Sequence, residues 1–150
     1  MMRWLSLLAF LAVSLGGGLF VGARNTPDDW YRHLEKPWFN PPDWIFAPTW
    51  TVLYVLIAVA GWRAFRAANR RAVVAWAVQM ALNFLWSPLF FSAHAVLPAL
   101  VVILGMLAAI LAFMARTGGR DPIAFWCFVP YAAWVSYATL LNAAIWRLNG

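Results

Sequence analysis

Charged residues are missing from two long stretches of the chain, Ala72 to Ala115 and Pro122 to Trp146, and sparse in two others. Apolar runs fill these gaps. A membrane-crossing helix needs roughly 20 predominantly apolar residues, so the first gap has room for two. Five segments emerge on this basis: Trp4–Val21, Trp44–Trp62, Ala72–Phe91, Ala95–Ala115 and Ile123–Trp146. Most links between them are short, at Arg63–Arg71, Ser92–His94 and Arg116–Pro122. Short links make neighbouring helices antiparallel and packed together. The pattern predicts an all-α membrane protein: one five-helix bundle over residues 1–150, with a single long connection between helices 1 and 2.

Composition agrees with the pattern. The chain is 65% hydrophobic and 11% charged, against about 45–50% and about 25% in soluble domains. The first segment has two readings. Met1–Arg3, an apolar stretch and Val21-Gly22-Ala23 resemble a cleavable secretory signal, but four further spans follow and favour a retained helix. Gly18 and Gly22 also form a GxxxG, a pattern that allows close helix approach.

The net charge of +6 raises the question of nucleic acid. The basic residues sit at the ends of apolar segments rather than in a patch, which suits headgroups and topology instead. Arg3, Arg63, Arg66, Arg70, Arg71, Arg116 and Arg120 fall on one side; Arg24, Arg32, Lys36 and Arg147 fall on the other, with four acids. The positive-inside bias places the N-terminus in the cytoplasm and the C-terminus outside. Cys127, the one cysteine, excludes an internal disulfide and lies within an apolar run.

The long connection, Arg24 to Asp43, is expected on the outer side. Pro37, Pro41 and Pro42 fix φ and remove donors, which opposes a helix and stiffens the segment. Trp30, Tyr31, Trp38, Phe39 and Trp44 supply rings for either an interfacial aromatic belt or a lid over a ligand. Within the spans, Trp50 and Tyr54 share a helix face, as do Asn83 and Trp86, and Trp134 and Ala138. Asn83 and Asn142 are polar groups in apolar spans and need partners: another helix, the commoner outcome, or a ligand. Indoles with one or two amides would suit a large flat aromatic ligand.

These residues resemble the signature of the TspO/MBR family of tryptophan-rich sensory and translocator proteins. The match runs through Trp30-Tyr31-x-x-Leu34-x-Lys36-Pro37-Trp38-x-x-Pro41-Pro42-x-Trp44 and Pro48-x-Trp50. It continues through Gln79-x-x-Leu82-Asn83-x-x-Trp86-x-Pro88-x-Phe90-Phe91, Pro130-Tyr131-x-x-Trp134 and Ala138-Thr139-x-x-Asn142. The resemblance implies a five-helix bundle, often a homodimer, that binds tetrapyrroles such as protoporphyrin IX and haem. It also implies sterols and isoquinoline or benzodiazepine drugs as ligands. Carried over by motif, the pocket residues are Tyr31, Pro42, Trp50, Asn83, Trp134 and Ala138, covered by the loop as a lid. Trp50 and Trp134 would stack on the ligand, Asn83 would offer a hydrogen bond and Ala138 would leave room. The family's sterol motif is incomplete: Leu141 and Arg147 are present, but Ala143 replaces its tyrosine.

Other chemistry is thinly supported. His33 and His94 are expected in loops, solvated rather than ligating haem iron, and no spacing suggests a metal site or a required cofactor. No span carries an acidic residue or a nucleophile beside a base, so no catalytic residue is assigned. Light-dependent porphyrin breakdown, which the resemblance admits, would use the porphyrin as sensitiser and Trp50 or Trp134 as oxidisable indoles. The lack of an intramembrane charge disfavours proton-coupled export and leaves passive or partner-assisted porphyrin or sterol movement. Dimer contact is expected through Ala72, Ala75 and Ala81, or through Gly18 and Gly22. The absence of an evident transit peptide points to a bacterial source.

Overall fold

The computed structural model describes residues 1–150 and contains helices and connecting turns, without strands. Five helices are long and apolar enough to cross a membrane: α1 (Met2–Arg24), α3 (Asp43–Arg66), α4 (Arg70–Ser92), α5 (Val96–Thr117) and α6 (Pro122–Asn149). A sixth, α2 (Asp29–His33), is a short helix in the first loop. Helix α1 packs on α3, α3 on α6, α6 on α5 and α5 on α4, with α4 returning to α3 and α1.

Helix α2 departs from the expectation that prolines keep the whole first loop non-helical. Those prolines lie beyond its end, and Asp28 starts it by accepting the Tyr31 N–H at 3.0 Å, as a good N-cap does. Side chains also fix two of the other helix starts. Asn69 accepts from Ala72 N at 3.2 Å and donates to the Arg116 carbonyl at 3.0 Å, tying the start of α4 to the end of α5. Asp121 accepts from Ala124 N at 3.1 Å, and Arg63 Nε donates to both its oxygens at 3.0 and 2.9 Å. Single π-turns interrupt α1 at Ala12–Gly16 and end α4 at Pro88–Ser92.

The interior is a continuous apolar cluster built from α3, α4, α5 and α6, with Phe10 and Leu15 of α1 packed against it. At its centre Phe113 and Phe128 stack with centroids 4.0 Å apart. Two glycines let helices approach. A Cβ on Gly61 would lie 2.4 Å from the Trp76 indole nitrogen, which donates to the Ile57 carbonyl at 2.8 Å. A Cβ on Gly18 would lie 2.3 Å from the Tyr54 ring, beside the bond from Ser14 Oγ to the Tyr54 carbonyl at 2.7 Å.

These contacts correct part of the expected dimer face. Gly18 is spent within the chain against Tyr54, and only Gly22 of the pair is open. Ala72 is fully buried inside the bundle and Ala75 is half-buried against the core, which leaves Ala81 exposed on the outer side of α4.

Candidate ligand site beneath the first loop

The first loop is fastened on two sides. Toward the α4–α5 turn, His94 Nε2 lies 2.9 Å from Asp28 Oδ2, and the His94 ring stacks on Trp30 at 4.1 Å and 15°. Ser92 Oγ donates to Asn25 Oδ1 in the same place. His94 adopts φ 53°, the left-handed conformation that turns the chain between the helices. It is therefore engaged rather than simply solvated, and His33 lies on α2 with Nδ1 2.6 Å from the Asp29 carbonyl. The Tyr31 N–H, assisted by His94, holds the Asp28 carboxyl below its usual range against some desolvation. Toward α6, Glu35 and Asn149 exchange two bonds of 2.9 Å each, and Tyr137 donates to the Phe39 carbonyl.

Tyr31 anchors the loop. It is only 4% exposed, meets Phe91 edge-on at 5.4 Å, and carries the Lys36 ammonium 4.5 Å over its ring. Trp38 and Trp44 instead point outward, 94% and 73% exposed, so the loop rings divide between the belt and the lid readings. Burial, with the Asp43 charge acting the same way and Asn40 opposing, pushes the Tyr31 phenol up to about 12. A phenol normally ionises near ~10, so folding favours its neutral form. That contribution is whole below pH ~10 and is lost as pH climbs from ~10 to about 12. Tyr31→Phe is expected to lose less stability than the parent between those limits, measured by melting in detergent. Identical alkaline profiles would show that folding leaves the ionisation of this phenol unshifted.

Below the loop, the indoles gather. Trp50 stacks on Tyr54 at 5.4 Å and 27°, as their spacing on one face predicts, and meets Trp134 edge-on at 6.5 Å and 87°. Tyr131 and Phe46 close the cluster, at 6.3 Å from Trp50 and 5.8 Å from Trp134. A groove of about 650 Å³ runs down the outside between α3 and α6, with Trp134, Tyr137, Leu53 and Pro130 among its walls. The Trp134 Nε1–H is buried without a partner. A second, more polar hollow of about 490 Å³ opens within the loop itself, lined by Tyr31, Arg32, Lys36, Asn40, Pro42 and their neighbours.

Both buried asparagines take the helix-to-helix outcome. Asn83 accepts from Tyr54 OH and donates to Tyr131 OH, each at 2.9 Å, and Tyr131 OH donates to Gln79 Oε1 at 2.6 Å. Asn142 accepts from Trp86 Nε1 at 3.0 Å and donates to the Val96 carbonyl at 2.9 Å. Gln79, fully buried with its Nε2 unpaired, carries the same signal that marked Asn83, a polar amide in an apolar span. Tyr54 and Tyr131, as hydroxyl partners for Asn83, were hidden, because the bonds join three helices.

The six residues carried over by motif therefore fall into groups. Trp50 and Trp134 are in direct contact, and Asn83 joins them through Tyr54. Tyr31 and Pro42 line the loop hollow, and Tyr31 belongs to a separate apolar cluster with Phe90, Ala99 and Ile145. Ala138, 8% exposed, packs into the main core. Leu141 is buried and Arg147 exposed, so the residues of the incomplete sterol motif do not share a surface.

A five-span helical bundle with an ordered, aromatic-rich loop strapped over one end defines an integral, multi-pass membrane protein. The TspO/MBR family model matches residues 6–147, and the chain belongs to that family. It is 40% identical to the tryptophan-rich sensory protein of Cereibacter sphaeroides over 99% of this chain and 94% of the relative. It is 36% identical to protein CrtK of Rhodobacter capsulatus, covering 93% and 89% of the two chains. Similarity extends to the human translocator protein, at 35% identity over 97% and 91%.

Proposed function

We propose that this chain binds tetrapyrroles of the protoporphyrin IX or haem type and acts in porphyrin homeostasis, stress response or signalling. The supporting observation is the Trp134 indole N–H, buried and unpaired in a cluster with Trp50 at the wall of a large apolar groove. An unmade buried bond costs about 1–3 kcal/mol, and a ligand acceptor would recover it. The groove's about 650 Å³ suits a compound within the usual range of ~300–1,000 Å³. In the loop hollow Lys36, which has no carboxylate partner, supplies a cation for a ligand carboxylate, while Arg32 is held by Asp29 at 2.6 Å. The same surfaces would accept flat drug-like aromatics. An N-in, C-out orientation fits the seven basic residues at the end that carries Arg3, Arg63 and Arg116, against four at the loop end.

Titrating the purified protein with protoporphyrin IX in the dark, followed by tryptophan fluorescence, tests this reading. Trp50→Phe and Trp134→Phe are each expected to weaken saturable binding by about two- to tenfold, since aromatic pairs contribute ~0.5–1.5 kcal/mol beyond burial. Asn83→Ala would act indirectly, by releasing Tyr54 and Tyr131. Absent saturation, or affinity indifferent to all three changes, would falsify the assignment. Illuminating the same samples addresses breakdown: the ring contacts of Trp50 with Trp134 and Tyr54 favour porphyrin loss that depends on those indoles.

A further inference from the structure

At the end of the bundle opposite the first loop, a groove of about 500 Å³ runs between α4 and α5. Its floor is apolar, with Val74 61% and Val78 46% exposed and Ala109 buried between them. Arg70, Arg71 and Arg116 close one end of it. None has a carboxylate partner. The single acid at this end of the bundle, Asp121, is bound by Arg63. Asn69 fixes the arginine positions by joining the start of α4 to the Arg116 carbonyl. A guanidinium cluster recognises phosphate by paired hydrogen bonds and charge, and basic sites between membrane helices take lipid headgroups.

We propose that this groove binds one anionic phospholipid, its phosphate among the three arginines and an acyl chain along Val74, Val78 and Ala109. A second copy of the chain fits less well. Two-fold packing about an axis along the membrane normal would set each arginine trio against its own image. Free phosphate would leave the apolar floor unused. The site is independent of the tetrapyrrole reading.

Native mass spectrometry of the detergent-purified protein, titrated with dioleoylphosphatidylglycerol or dioleoylphosphatidylcholine, tests it. The phosphatidylglycerol adduct is expected to form at least about tenfold more tightly. Combined Arg70→Gln, Arg71→Gln and Arg116→Gln should erase that preference, whereas combined Arg66→Gln and Arg120→Gln, outside the groove, should keep it. Ala112→Phe, which fills the exposed floor, should weaken the adduct without touching an arginine. These substitutions are on exposed positions, and a melting curve verifies the fold of each variant. Equal binding of the two lipids overturns the site. So does equal loss in both arginine sets, which would mean diffuse surface charge, or full competition by inorganic phosphate, which would mean an ion site. Loss of the adduct only in a dimeric fraction would assign the groove to a second copy instead.

Discussion

Gly61→Val is expected to destabilise the bundle by about 3 kcal/mol, a fall of roughly 10 °C in melting temperature in detergent. The first added carbon would already lie 2.4 Å from the Trp76 indole nitrogen. Trp76 cannot yield cheaply: its ring is 7% exposed, sits edge-on to Phe10 at 4.8 Å, and donates to the Ile57 carbonyl at 2.8 Å. Either α3 and α4 separate, losing packing along their length, or the indole rotates and surrenders a bond worth about 1 kcal/mol net. Gly22 provides the control, since no atom lies within 4 Å of its added Cβ. There, Gly22→Ala should be neutral or stabilising by up to ~1 kcal/mol, because a helix interior favours alanine. Similar melting curves for Gly61→Val and Gly22→Ala would remove the close-approach account.

The second large effect concerns the polar chain in the core. Tyr131→Phe deletes a hydroxyl that accepts from Asn83 and donates to Gln79. It leaves the Gln79 amide, fully buried with Nε2 already unpaired, without a hydrogen-bond partner on either side. We expect a loss of about 2 kcal/mol. Gln79→Leu should cost less, because it removes an orphaned donor and leaves the Tyr131 hydroxyl the Met106 sulfur at 3.4 Å. The double variant should be more stable than the sum of the two losses implies, since contacting residues couple. Additive losses in melting experiments would show that the hydroxyl and the amide act separately.

The sequence pattern located the long helices because water and hydrocarbon sort residues strongly: every boundary lies within about four residues of a charge or of a Gly or Pro. Spacing also placed Trp50 on Tyr54, since both belong to one helix. What spacing could not show was any partner that depends on the rotation of a second helix. Asn83 was legible as a polar group in need of a bond, but Tyr54 and Tyr131 were not legible as the answer. His94 looked like a solvated loop residue because Asp28 lies 66 positions away in sequence. The π-turns left no local signal, and Gly18 read as an exposed pairing motif although it faces Tyr54. Helix α2, only five residues long, is too short to show a helical period, although its Asp28 cap is a recognisable start signal.

The groove between α3 and α6 opens sideways, toward the space that lipid tails occupy, while the loop end is strapped down on two sides. An apolar compound seated there exchanges with the bilayer rather than with water. Its occupancy follows its mole fraction among the lipids, so a sparingly soluble compound can saturate the groove while its aqueous concentration stays negligible. Diluting the same preparation with empty micelles would then strip the compound off, even with its total concentration held constant. Affinities quoted per litre of buffer would rank compounds by their partitioning as much as by their fit.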